Sequence, residues 1–482
     1  MTQSSETPSP VPSASFSPPS QAGVLMGWSM HQVVVGSVGL LMIVAAMPMG
    51  RNLLDWVNLP WAALTVASMV TVRGRSLWQL LMVRLGFALR RATGRTKWTV
   101  SPMAVDTTVG LVDLPGATGQ RLRPWPVIDT EFGGAAFILD QASGEATAVI
   151  VTDARAWIFA PDRDKAGRAE AWSRVMREVM DMKGVKRVVT QARTLAVPHV
   201  PEPARRDDAT MRDIREVEGS RLVAETRHDL VVSLTVDTGA VEDEIHAAGG
   251  GRAGVSQVLK ERVCRLAALL PGTGTLNDRT MWADWAILRG MMKTMTDPSA
   301  WGLLNDLGQL PDDVPVSTSW IEYADRIRVD RMWAKTLWVD TWPSDRVVAG
   351  WLEPVTAQNR LQLVLTQAWR PKPESKAVKD LDTRMAELDR IIALSNRVKR
   401  PVDPKVLAER EEVMARRRQA AKDQGDVAFQ GFLTVISPSK DQLHTDLARL
   451  RSTVGDGVHL DDLTAQQWAG WLAALPLGQA GR

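Results

Sequence analysis

The sequence predicts an α+β protein: an N-terminal two-helix transmembrane hairpin, then cytoplasmic α/β domains of split βαβ (ferredoxin-like) character with an inserted helical hairpin. Three observations predict it. Two apolar runs lie in tandem between Val33 and Val72. Strand-like and helix-like runs alternate over most of the chain that follows. A long charged stretch, residues 374–422, interrupts the last of these alternations.

The apolar runs read VVVGSVGLLMIVAAMPM and LLDWVNLPWAALTVASMVTV, parted by Gly50, Arg51 and Asn52. A membrane crossing takes about 20 helical residues, with a usable range of roughly 17 to 25, and helix is the form in which an isolated run satisfies its own peptide groups in lipid. Arg73, Arg75, Arg84, Arg90, Arg91, Arg95 and Lys97 follow directly, whereas residues 1–32 hold neither Lys nor Arg. Cations close to a span stay on the cytoplasmic side. The expectation is therefore a multi-pass protein of the cell (inner) membrane, with its N-terminus and the bulk of the chain cytoplasmic. Asp55 and Pro60, in the second run, would also suit a buried helical hairpin in a globular core.

At 482 residues and 45% hydrophobic, the chain has room for two or three domains with buried cores and does not read as a disordered protein. The net charge of +3 conceals a basic cluster beside the apolar runs, where anionic lipid attracts each cation by about 1 kcal/mol. Arg73, Arg75, Arg84, Arg90 and Arg91 are the candidate membrane-interface residues. The single cysteine, Cys264, cannot form an internal disulfide and falls in an apolar helical pattern, which reads as an inert core thiol in a reducing compartment. No secretory signal is apparent, because no basic region precedes the first apolar run.

In chain order, residues 1–24 are rich in Ser and Pro and read as a disordered tail. Residues 25–74 hold the hairpin. Residues 75–98 form a basic amphipathic helix whose stripe of Leu77, Leu80, Leu81, Leu85 and Leu89 suits either the membrane interface or packing on the soluble part. Residues 99–315 make a first α/β domain. In it AAFILD and ATAVIVTD flank QASGE as a β-hairpin with Gly144 at the turn. Trp172, Val175, Met176, Val179 and Met180 stripe a helix from Lys165 to Met182, closed by Gly184. VKRVVTQARTLAV returns as a strand, a charged helix from Asp207 leads to the strand LVVSLTV, and GGGRAG connects flexibly to the helix VSQVLKERVCRLAALL. This order suits helices on one face of a largely antiparallel sheet.

Residues 316–482 make a second unit. RMWAKTLWVDTW and RLQLVLTQAW read as strands around a short helix, SDRVVAGWL. Two long charged helices follow, broken at Pro401 to Pro404. Then come a strand (VAFQGFLTVIS), a helix (PSKDQLHTDLARLRSTV), a brief strand (VHL) and a last helix (TAQQWAGWLAALPLG). With the insertion at 374–422 set aside, that is the order of a split βαβ fold.

No chemistry-bearing motif emerges. GLVDLPGATGQ and LPGTGTLND lack the lysine of a phosphate-binding loop and read as turns. The six histidines show no ligand spacing, and one cysteine excludes a thiolate zinc site. No Gly-x-Ser-x-Gly elbow occurs. The charged hairpin mixes both signs, as a solvated helix pair does, and no direct nucleic-acid site is evident. No catalytic, cofactor-binding or metal residue is assigned, and the chain is expected not to be an enzyme.

The basic exit from a two-helix start, the segment WPSDRVVAGWLEPV and the closing run AFQGFLTVISPSKDQLHTDLARLRSTVGDGVHLDDLTAQQWAGWLAALPLG together resemble the integral membrane proteins of actinobacterial conjugative, type IV secretion-like systems. The resemblance covers most of residues 25–478, and Trp471 to Gly478 is its most specific piece. It implies a PrgI-type membrane hairpin joined to a domain similar to the N-terminal, non-motor half of the transfer ATPase. The implied role is a scaffold in a multi-subunit complex for DNA transfer or protein transport, without cofactors. Its implied partners are a separate secretion-system ATPase subunit, other channel subunits and membrane lipid. The two-helix membrane component of an actinobacterial type VII secretion complex shares the opening layout but does not predict the second α/β unit.

Overall fold

The computed structural model describes residues 13–14, 30–46, 58–72, 75–99, 114, 116–128, 131–153, 160–198, 224–275, 280–311, 314–343, 347–348, 350, 352–356, 361–371, 374–397, 401–402, 404–420, 427–454 and 458–480. Thirteen strands make one sheet: β1 Lys97–Thr99, β2 Leu122–Pro126, β3 Ala136–Asp140, β4 Glu145–Thr152, β5 Val185–Pro198, β6 Ala224–Asp237, β7 Met281–Trp282, β8 Ser319–Glu322, β9 Ile327–Val329, β10 Met332–Thr341, β11 Gln362–Pro371, β12 Val427–Ser437 and β13 His459–Asp462. The helices are α1 Met30–Ala46, α2 Leu59–Met69, α3 Leu77–Ala92, α4 Gly116–Arg121, α5 Asp162–Met180, α6 Glu242–Ala247, α7 Gly251–Leu269, α8 Trp285–Thr296, α9 Ala300–Leu307, α10 Glu353–Thr356, α11 Glu374–Arg397, α12 Pro404–Ala420, α13 Lys440–Thr453 and α14 Gln467–Ala474.

Across the sheet the strands run β1-β8-β9-β10-β12-β11-β5-β6-β4-β3-β2, with β7 beside β4 and β13 beside β10. Every pairing is antiparallel. The tightest local signal is the β3–β4 hairpin. Asp140 pairs Glu145 across a four-residue turn that ends at Gly144, whose φ of +64° favours glycine.

Two halves share one topology. In the first, β4, α5, β5, β6, α7 and β7 give the spatial order β7-β4-β6-β5; in the second, β10, α10, β11, β12, α13 and β13 give β13-β10-β12-β11. Each is the split βαβ order, in which a third strand separates the two that a helix connects. The halves are fused through their second strands: β5 and β11 pair from Thr194↔Leu363 to Val188↔Trp369, turning two four-stranded units into one body.

Strand alternation then decides the layers. Ala146, Ala148, Ile150, Val232 and Leu234 face Val175 and Val179 of α5 and Leu259, Val263 and Leu266 of α7. On the same face of the second half, Leu337, Leu363, Leu433 and Val435 meet Leu443, Leu447 and Leu450 of α13. The opposite face carries one core common to both halves. Val149 and Val231 of the first and Val364 and Ile436 of the second belong to the same cluster as Leu288 and Met292 of α8 and Trp471, Leu475 and Leu477 at the C-terminus.

Several expectations are corrected. In place of a transmembrane hairpin followed by separate α/β units, the bulk of the chain is this single large antiparallel sheet with its helices. Among the described residues no helix is long and apolar enough to cross a membrane, which overturns the multi-pass, cell-membrane localisation as well. The reason lies in the second apolar run. Pro60, which suits the first turn of a helix, sits at the start of α2, and the chain turns extended at Val70 before Thr71–Val72 pairs with Arg75–Ser76. The 11 residues between rise about 16 Å, against a hydrocarbon core of roughly 30 Å. α1, of 17 residues, packs on α2 through Gly36 and Gly39, where a Cβ would meet Ser68 and Thr65.

Smaller corrections follow the same logic. GGGRAG is not a flexible connector: three positive-φ glycines, Gly249 to Gly251, reverse the chain, α7 begins at Gly251, and Gly254 lets the Ile245 carbonyl of α6 approach. Cys264 is exposed, because α7 buries Val258, Leu259, Val263 and Leu266 and turns residue 264 outward. Within SDRVVAGWL, where a helix is expected, Val347–Val348 is instead a two-residue strand that pairs with Ser13–Ala14, residues 344–346, 349 and 351 lie outside the described residues, and the short α10 begins only at Glu353. The charged helix expected from Asp207 and the rest of the Ser/Pro-rich tail lie outside the described residues.

Candidate functional site

The most distinctive sequence feature, Trp471 to Gly478, is a clamp on the seam between the halves. Trp471 is 1% exposed and is among the largest fully buried side chains. Beyond it α14 ends at Ala474, and a run of bends and turns to Gly478 lies over the β5–β11 seam and takes hydrogen bonds from strand side chains. Gln191 Nε2 donates to the Ala473 and Leu475 carbonyls at 2.8 and 3.0 Å, Thr366 Oγ1 to Ala473 O at 3.1 Å, and Arg187 Nε to Gly478 O at 2.7 Å. Arg187 is in turn held by Glu145 at 2.8 Å, both side chains buried. Gly478, at φ +63°, lies against Thr147 and Ser233, where a Cβ would collide. One residue before the clamp, Gly470 rests on Thr336. Gln467 also accepts from the Thr336 N–H at 2.9 Å and donates to its carbonyl at 3.2 Å, so an amide stands in for a strand neighbour. All of this is buried. The run holds the fold together and offers no surface to a ligand.

The candidate interface arginines separate. Arg73 and the side chain of Arg75 lie outside the described residues; Arg84 and Arg91 are exposed on α3. Arg90 turns inward: its Nη2 donates to Ala465 O at 2.8 Å and lies 3.5 Å from Glu322 Oε2. Glu322, buried, also accepts from the Trp468 N–H at 3.0 Å, beneath the Trp320–Trp468 stack. Burial pushes its carboxyl above the usual range, against the lowering effect of the Trp468 N–H and Arg90. Arg90 is thus the tie between α3, capped by a Ser76–Gln79 box, and the sheet end. The leucine stripe points the other way, with Leu77, Leu81, Leu85 and Leu89 exposed, so packing on the sheet is not what the stripe does.

The third feature is the charged insertion. α11 and α12 pack on each other as an antiparallel pair in the β11–β12 connection, and α11 alone rises about 36 Å over its 24 residues. Leu388 and Val413 are buried along its seam. Ion pairs rung the sides: Arg384 Nε–Glu409 at 3.0 Å, Arg410–Asp389 at 2.7 Å and Arg417–Asp382 at 2.6 Å. Burial lowers the Arg384 pKa, but hydrogen bonds to Glu409 and Glu387 more than offset that and hold it above its ordinary value. Such half-exposed pairs are worth roughly 0 to 1 kcal/mol each, so they set register more than stability. On the tip side of the Asp389–Arg410 rung, Ile391 and Leu407 stand 41% and 46% exposed. Apart from α1–α3, where exposed apolar side chains are many, the exposed large apolar residues among those described are these two with Ile128 and Met281. Ile391 and Leu407 are therefore exposed apolar side chains on an otherwise charged helix pair.

Among the described residues no three His, Cys, Asp or Glu side chains are placed to hold a metal ion. Neither a known family model nor a curated protein sequence matches the chain. Sequence reading located the arm but not its apolar pair. A count of apolar residues off the 381-385-388-392 seam would have found Ile391, since that position has no place in the helix–helix contact.

Proposed function

We propose that the chain is a structural, non-enzymatic subunit of a conjugative, type IV secretion-like machine, and that it docks a separate ATPase subunit through the α11–α12 arm. The arm carries the reading. It is inserted into a body already closed by its own cores, its ion-pair rungs fix its shape, and Ile391 and Leu407 offer an apolar contact that the chain itself leaves open. Clustered exposed apolar groups rimmed by charge mark protein contacts. The clamp of Trp471 to Gly478 and the continuous sheet supply a rigid base against which a motor could work.

The test is co-purification from the native host with the full chain as bait, comparing wild type with Ile391→Ser/Leu407→Ser. Wild type should recover an ATPase that carries its own phosphate-binding loop, together with other channel subunits. The double variant should lose the ATPase while melting at the wild-type temperature, because both side chains are exposed. Undiminished recovery by the variant would defeat the arm as the docking element, and recovery of a type VII complex would replace the machine proposed.

A further inference from the structure

Away from the arm and the clamp, a cavity of about 320 Å³ opens between α13 and the β8–β10 wing. That is the lower end of the range for small-molecule sites, roughly 300 to 1,000 Å³. One face of α13 lines it at helical spacing: Lys440, His444, Leu447, Ala448 and Arg451. Lys335 of β10 and Arg326 of the β8–β9 turn close the other side.

The charge on this wall is unbalanced. Four permanent cations, Arg326, Lys335, Lys440 and Arg451, face two carboxylates. Asp462 bridges Lys335 at 2.8 Å and Arg451 at 3.1 Å, while Asp325 holds Arg326 at 2.8 Å. Lys440 makes no ion pair among the described residues. Arg326 is further fixed over the Tyr323 and Trp333 rings, at 5.2 and 5.6 Å from their centroids, and those rings stack on each other at 5.6 Å. A guanidinium so held is pre-oriented for an anion, and the planar donor set of arginine matches phosphate oxygens. The floor, in contrast, is apolar: Leu443 and Leu447 are buried and Ala448 presents only a methyl group.

We infer that this groove binds a phosphorylated small molecule of about nucleotide size. Its phosphate lies among Lys440, Arg451, Lys335 and Arg326, and its apolar part lies on Leu443, Leu447 and Ala448. The inference goes beyond docking and does not depend on the arm.

Binding of a fluorescent ADP to the full chain, read by anisotropy at low salt, tests it. The expected Kd lies below about 1 mM, inorganic pyrophosphate displaces the probe, and adenosine does not. Lys440→Ala/Arg451→Ala, exposed positions whose loss should leave the melting temperature unchanged, should weaken binding roughly tenfold or more. Lys440→Arg alone, which keeps a cation at that position, should bind nearly as tightly as wild type. Absence of ADP binding at about 5 mM, displacement by adenosine as effective as by pyrophosphate, or a double variant that binds like wild type would each overturn the assignment.

Discussion

Replacing Trp471 with alanine tests whether the two halves share one core. The side chain is 1% exposed and sits in the cluster that joins Val149 and Val231 of one half to Val364 and Ile436 of the other. An aromatic of this size buries roughly 200 Å², which at about 25 cal/mol per Å² is on the order of 5 kcal/mol before the alanine methyl is subtracted. Measured Trp→Ala and Phe→Ala losses in cores run about 3 to 5 kcal/mol. We expect about 4 kcal/mol, a large share of the roughly 5 to 15 kcal/mol by which folded chains are stable. Urea unfolding followed separately by far-ultraviolet circular dichroism and by hydrogen exchange of peptides from β4 and β12 gives the readout. Both halves should lose stability together in one transition. A loss under about 1 kcal/mol, or a transition that leaves one half unmoved, would refute the shared core.

Two further expectations concern buried charge. Glu145→Gln leaves Arg187 buried without its carboxylate partner while it still donates to Gly478 O; a cost of about 3 to 5 kcal/mol is expected in the same urea assay, and a neutral result would contradict the pairing. Glu322 has its folded pKa raised by burial, so the folded chain retains that proton at pH values where the unfolded chain has lost it. Its contribution to stability therefore falls as pH rises from the ordinary carboxylate range through the raised value, and is constant above it. Glu322→Gln should gain melting temperature relative to wild type as pH rises from the ordinary carboxylate range, and a difference independent of pH would contradict the burial.

Local pattern made some elements legible and left the assembly hidden. Alternation in ATAVIVT and the glycine at 144 place the β3–β4 hairpin; the apolar stripe through Trp172, Val175 and Val179 places α5; Pro401 and Pro404 part the helices of the arm. The fusion of the halves was not legible. β5 buries Arg187, Gln191 and Arg193, residue types that read as solvent-facing. Arg187 and Gln191 donate to carbonyls nearly 300 residues away, and Arg193 Nη2 donates to Met291 O, with burial lowering the Arg193 pKa to about 10. Short strands such as β8 and β9 carry too few residues for a period to show. The length of an apolar run also overstated the length of a helix, since hydropathy does not register that α2 starts beside Pro60 and stops at Met69. In the arm, charge pattern gave the helices, whereas the exposed pair Ile391 and Leu407 emerges only once the seam is known.

The most direct measurement is hydrogen exchange of the full chain with and without the ATPase recovered alongside it. Peptides covering residues 385–410 should gain protection on mixing, and the gain should vanish in Ile391→Ser/Leu407→Ser. Complex formation with protection confined to other elements, or with the arm exchanging as fast as in the free chain, would contradict docking through the arm.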